Sequence, residues 1–189
     1  MGTTVLLVLD VQNGVVDLAG SILPDNYLDR LAHTINAARQ ADLRVIYVSV
    51  AFRPGYPEKS DRNSSTSRVK ARGDFIEGSE STQIHPAVAM CEGDIHITKR
   101  RVSAFHGTEL DLVLRSLDAE TLVITGLVSS GAVLSTVRQA ADLDYRQIVL
   151  EDLCADSFPE VHEILVKKVF SKQARVMSSA EWVAEIEKK

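Results

Sequence analysis

Two ionisable residues stand where apolar runs stop. Asp10 closes the run TTVLLVLD, and Lys99 closes the short run DIHITK. A third apolar run, TLVITGL, opens into the stretch TGLVSSGAVLSTVRQA, Thr125 to Ala140, which reads as a strand-to-helix turn. A carboxylate and an ammonium converging on such a turn make an acid–base pair beside backbone N–H donors. That pair can pass a proton and hold the charge left behind. Each residue alone also has a plainer reading. An aspartate after a strand caps a turn, and Lys99-Arg100-Arg101 is an ordinary solvated strand end.

The elements that must position these groups follow from the hydrophobic pattern. Thr4–Asp10, Leu43–Ala51, Thr121–Leu127 and Gln147–Leu153 are continuous apolar runs, predicted as strands buried on both faces. Asp94–Thr98 and Ala174–Met177 are shorter strands. Helical spacing marks Pro24–Ala41, Glu109–Leu117, about Gly131–Leu143, Pro159–Phe170 and a polar terminal stretch, Ser179–Lys189. Phe52–Gln83 carries little periodicity and is rich in Pro, Ser, Gly and charge, so it reads as a long loop. Alternation of buried strands with helices predicts a three-layer α/β/α, Rossmann-like fold around a mainly parallel sheet of about six strands, in one domain spanning residues 1–189. In such sheets ligands bind outside the carboxyl ends of the strands, where Asp10, Lys99 and Gly126 stand.

Composition narrows the function. The 189 residues are 25% charged with a net charge of −5, which argues against a general binder of nucleic acid or anionic membranes. No apolar run reaches the length of a transmembrane helix. Cys91 and Cys154 form neither a disulfide framework nor a metal pattern, so a reducing cytoplasm is the expected location. The five histidines, His33, His85, His96, His106 and His162, are scattered and read as surface or packing residues. His106, beside the expected pocket, is the one to watch. Neither a metal nor another cofactor is expected.

The segments LVLDVQNG, ITKRRVSAFHGTEL and VITGLVSSGAVLSTVRQAADLDY, with EDLCAD after the next strand, resemble the isochorismatase-like superfamily, which includes the cysteine hydrolases. The resemblance covers essentially the whole chain. It implies a triad of Asp, Lys and Cys that maps onto Asp10, Lys99 and Ala132. It also implies a cis peptide at Leu127–Val128 and self-association into a homo-oligomer. The candidate substrate contacts are Gln12, Phe105, Leu127, Val128 and Gly131. The metal-binding histidines of nicotinamidases have no counterpart in VSVAFRPGYPEKSD, and Val15 replaces a frequent aromatic.

Ala132 decides the chemistry that remains. A methyl group cannot attack a carbonyl, so covalent amide hydrolysis through this position is excluded. Ser129, Ser130 and Ser135 are displaced from it, and no histidine is near them in sequence. Isochorismatases likewise lack the cysteine, and the resemblance implies a route through protonation of a vinyl ether by the aspartate. Three readings follow: a hydrolase of this type, a non-catalytic member binding a small carboxylate or a protein, and a cysteine hydrolase whose nucleophile has been replaced. For the first, the substrate is expected to be a small carboxylate. Strand alternation predicts Lys99 and Arg101 on one side and Arg100 on the other, with Arg53 from the long loop as the carboxylate clamp.

Overall fold

The computed structural model describes residues 2–188, apart from the side chains of Ser21, Ser65 and Thr66. Six strands form one sheet: β1 (Thr3–Leu9), β2 (Arg44–Val50), β3 (Ile95–Lys99), β4 (Ala119–Leu127), β5 (Arg146–Ala155) and β6 (Arg175–Met177). Every pairing is parallel, and the strand order is β3-β2-β1-β4-β5-β6. The helices are α1 (Asn13–Ala19), α2 (Tyr27–Gln40), α3 (Ser64–Arg72), α4 (Leu110–Ser116), α5 (Leu134–Asp142), α6 (Pro159–Ile164) and α7 (Ser179–Ile186). The expected end of the last helix, Lys189, lies outside the described residues.

The period-2 geometry of a strand explains the three layers. Val5, Leu7 and Leu9 of β1 join Leu122 and Ile124 of β4 in one apolar cluster, covered by α4, α5 and the chain from Leu165 to Phe170. Leu6 and Val8 point the opposite way and meet Val123, together with α2 and α7. Because both faces are covered, these strands have no polar side, which is why they read as unbroken apolar runs.

Two helices depart from the expected long loop and its surroundings. α1 follows Asp10 almost directly and buries only Val16 and Ala19. α3 lies inside the Phe52–Gln83 segment, with the sequence SSTSRVKAR. The segment is also pinned by isolated bridges, Gln12 to Ile84 and Phe52 to Ile76. It carries its own small apolar cluster of Phe52, Tyr56 and Phe75.

Strand order reverses between β1 and β4, so the crevice opens beyond Leu9 and Gly126, which are partners in register. Gly126 has a φ of +123°, and a Cβ there would lie 2.0 Å from the carbonyl oxygen of Leu9. Only glycine lets the two chains approach so closely at the floor of the crevice. The hydroxyl of Thr125 donates to the carbonyl of Leu7 at 3.0 Å and fixes the same pair of strands. The dipeptide Thr-Gly therefore serves the backbone and leaves the chemistry to its neighbours.

Candidate active site

Asp10 and Lys99 meet at the carboxyl edge of the sheet. Asp10 is the first residue past β1, with φ +54°, and its N–H donates to the carbonyl of Val48 at 2.7 Å. Aspartate tolerates this left-handed conformation better than most residues. Lys99, the last residue of β3, reaches across β2 and places Nζ 2.8 Å from Asp10 Oδ2. Their side chains are only 4% and 8% exposed, for Lys99 and Asp10 respectively. Lys99 Nζ also donates to the carbonyl of Arg101 at 3.2 Å. The other carboxyl oxygen, Asp10 Oδ1, is buried and has no hydrogen-bond partner.

Two effects compete for the proton on Asp10. Burial disfavours the carboxylate and is the larger effect, while the ammonium of Lys99 favours it. The net result raises the carboxyl above its ordinary value of 3.8. The site thus combines a carboxyl whose proton affinity is raised by burial with a cation placed to stabilise its carboxylate form.

Asp10 and Lys99 line a cavity of about 240 Å³ whose remaining wall is largely apolar. Val15 and Leu18 come from α1, and Val69 from α3. Phe52, Phe75 and Val102 close further sides. Of these six, only Val15 was tied to the shape of the pocket from the sequence, as the replacement of a frequent aromatic. For Phe52, Val69 and Phe75 the sequence signal was slight: isolated apolar residues inside an aperiodic, polar segment. A larger depression of about 490 Å³, bordered by Arg115, Glu120 and Arg146, lies at the amino ends of β4 and β5, away from this pair.

The turn after β4 supplies the last wall. Leu127, Val128 and Ala132 line the cavity, and the Leu127–Val128 peptide is cis. Residues Ser129–Val133 form a π-type turn that runs into α5. Its N–H groups are largely engaged. Gly131 and Val133 both donate to the carbonyl of Val128, and Ser130 donates to Oδ2 of the buried Asp156 at 2.7 Å. The side chain at position 132 is a methyl group, 4% exposed, against the same space as Asp10.

Several expected substrate contacts are corrected. Gln12 is fully buried and committed to the main chain. Its Nε2 donates to the carbonyls of Val50 and Ser81, each at 3.0 Å, and its Oε1 accepts from the Val50 N–H at 2.7 Å. It brackets the long segment onto β2 and does not line the cavity. Phe105 is also core, 5% exposed and stacked on Tyr145 at 5.9 Å. The SAFHGT segment around it is a structural junction. Its Ala104 N–H donates to Thr136 of α5 at 3.1 Å, and Thr108 Oγ1 accepts from the N–H of Leu110 at the start of α4. Gly131 belongs to the turn without lining the cavity. The side chain of Arg53 is 61% exposed, pairs with Glu58 and borders a second cavity beside that of Asp10. The predicted alternation of Lys99, Arg100 and Arg101 fails because β3 stops at Lys99, and Arg100 and Arg101 both border the Asp10 cavity.

Neither Ser129 nor Cys154 takes the place of residue 132. Ser129 meets a histidine that is remote in sequence, with Oγ 2.7 Å from His162 Nδ1, but it is fully buried and does not line the cavity. Cys154 is 1% exposed, and burial pushes its thiol up to about 12. A thiol held so far from its thiolate is inert. Among the described residues, no group of three or more His, Cys, Asp or Glu side chains is placed to hold a metal ion. Nor is any helix long and apolar enough to cross a membrane.

The isochorismatase domain family matches residues 4–181, nearly the full length. The chain belongs to the isochorismatase family. An uncharacterized isochorismatase family protein of Bacillus subtilis, YwoC, is 28% identical over 186 residues, covering 97% of this chain and 94% of that protein. The ureidoacrylate amidohydrolase RutB of Methylorubrum extorquens is 30% identical over 177 residues, covering 83% of this chain and 71% of its own length. An isochorismatase family structure from Burkholderia thailandensis superposes with a TM-score of 0.84 at 26% identity, covering 98% of this chain and 96% of that one. The chain is a hydrolase of this family, and its buried Asp10–Lys99 pair shares a cavity with alanine at position 132.

Proposed function

We propose that this isochorismatase-family hydrolase cleaves an enol ether, of which isochorismate is the leading case, without a covalent enzyme intermediate. The observation that carries the reading is the setting of Asp10: a buried carboxyl with Oδ2 held by Lys99 and Oδ1 unpartnered, its affinity for a proton raised by burial, beside a position 132 that holds only a methyl group.

The chemistry follows from those atoms. Asp10 donates its proton from Oδ1 to the terminal CH₂ carbon of an enolpyruvyl ether. The C=C electron pair forms the new C–H bond, leaving an oxocarbenium ion. Asp10 is then a carboxylate, stabilised by Lys99 at 2.8 Å and by the cation it has created. Water adds to the oxocarbenium carbon, and its proton returns to Asp10. The hemiketal collapses to pyruvate and an alcohol. The apolar wall excludes bulk water and strengthens both charge interactions. No step requires a nucleophilic side chain.

The amidohydrolase relative makes amides the competing substrates, so the test is a panel. Isochorismate, ureidoacrylate and N-carbamoylsarcosine are each offered to the wild-type protein, with products followed by chromatography. The expected outcome is pyruvate release from isochorismate and no measurable amide cleavage. Amide turnover without pyruvate release would overturn the proposal. Inertness toward the whole panel would favour the non-catalytic reading.

A further inference from the structure

Two cavities share a wall just beyond β3. Arg100 and Arg101 border the apolar cavity that holds Asp10, and the same two residues border a wider cavity of about 580 Å³. Arg53, Glu58, His106 and Gly107 complete the lining of the second. Its cations are not equivalent. Arg53 and Arg100 both pair with Glu58, and Arg100 pairs with Glu77 as well. Their charge is compensated.

Arg101 is different. Its guanidinium donates to the carbonyls of Arg100 at 2.6 Å and Glu58 at 2.9 Å. Among the described residues, no carboxylate lies within ion-pair distance of it. The carbonyl bonds fix the direction of the group without neutralising it. A guanidinium has five N–H donors, so donors remain after both bonds are made. The main chain of Arg101 is also tied to the reacting pair, because its carbonyl accepts from Lys99 Nζ at 3.2 Å. An uncompensated, oriented cation thus stands at the junction between an apolar, acid-bearing cavity and an open polar one.

We propose that Arg101 is a substrate-binding residue that recognises an anion, and that the substrate is an amphipathic acid. Its apolar or unsaturated body occupies the Asp10 cavity. A carboxylate remote from the bond that breaks sits on Arg101, in the wider cavity. This deepens, and rests on, the reading of the Asp10 cavity as the reaction site. The chain carries a net charge of −5, so an anionic substrate needs a local cation to hold it. A guanidinium–carboxylate contact at the edge of an apolar wall provides the directional, charge-assisted bond required.

The test reads binding without turnover, using cyclohexanecarboxylate and its neutral isostere cyclohexanecarboxamide as probes. Affinities are measured by isothermal titration calorimetry on the full chain. The acid is expected to bind about tenfold more tightly than the amide, a preference that shrinks in high salt. Arg101→Gln removes the preference, while Arg101→Lys, which keeps a charge, retains part of it. Arg115→Gln, an equal loss of charge on the exposed face of α4, leaves it intact. If Arg101→Gln fails to fold, Arg101→Lys still decides the matter, because an acid preference as large as wild type there would contradict a fork-specific contact. Equal binding of acid and amide, no saturable binding of the acid, or a preference that survives Arg101→Gln would each overturn the proposal. The same titrations on Asp10→Asn separate the two readings, since an acid preference retained there stands even if the panel finds no enol ether turned over.

Discussion

Replacing Asp10 by Asn is expected to lower kcat on the enol ether by about a thousandfold, in the middle of the range for losing a general acid. Asparagine is nearly isosteric and its amide oxygen can still accept from Lys99, so the cavity keeps its shape. KM should change by no more than a few-fold. The residual activity should also lose the pH dependence of the wild type. Only protonated Asp10 can donate, and burial raises its pKa above the ordinary 3.8 despite the opposing pull of Lys99. Wild-type kcat/KM therefore stays high at low pH and falls as pH rises through the raised value. Steady-state kinetics across the pH range check both statements. A wild-type profile that rises with pH, like that of a carboxylate base, would contradict the assignment of Asp10 as the acid.

Replacing Lys99 by Met should remove turnover and weaken the fold. Removing one partner from a buried ion pair costs about 3–5 kcal/mol, because it strands the other charge. Here Asp10 has an escape, since it can take up a proton. A carboxyl whose folded pKa lies above its unfolded pKa adds stability that is fully present below the unfolded value and is lost as pH rises through the folded one. Without Lys99 the folded pKa rises further. The deficit of Lys99→Met relative to wild type should therefore be small in mild acid and grow toward neutral pH. Urea unfolding at several pH values measures it. A deficit independent of pH would mean that the two side chains are not electrostatically coupled.

The sequence carries the fold wherever an element has an apolar face and hides it where there is none. β1, β2, β4 and β5 were legible because both of their faces are covered. α3 was not, since SSTSRVKAR has only Val69 and Ala71 as apolar residues and no stripe for periodicity to detect. α1 escaped because seven residues with two buried side chains span barely two turns. The consequences reach the site, because α1, α3 and the Phe52–Phe75 cluster build half of its apolar wall.

Asp10 and Lys99 could be found because each ends an apolar run, and the strand order brings those ends together. Gln12 and Phe105 show the opposite case. Each lies within a few residues of Asp10 or Lys99, yet what decides its role is distant in sequence. Gln12 binds main chain 38 and 69 residues away, and Phe105 stacks on Tyr145. The pairing of Arg53 was hidden for a related reason, since its partner Glu58 lies across a turn that the sequence leaves unspecified.

The most direct test of carbon protonation by Asp10 is the hydrolysis of isochorismate in D₂O, with the pyruvate analysed by proton NMR and mass spectrometry. In D₂O the carboxyl of Asp10 carries deuterium, and the account predicts pyruvate with one deuterium in its methyl group. That product should form at the enzymatic rate with the wild type and be nearly absent with Asp10→Asn. Pyruvate formed at that rate with no solvent deuterium in the methyl group, or formed equally well by Asp10→Asn, would contradict it.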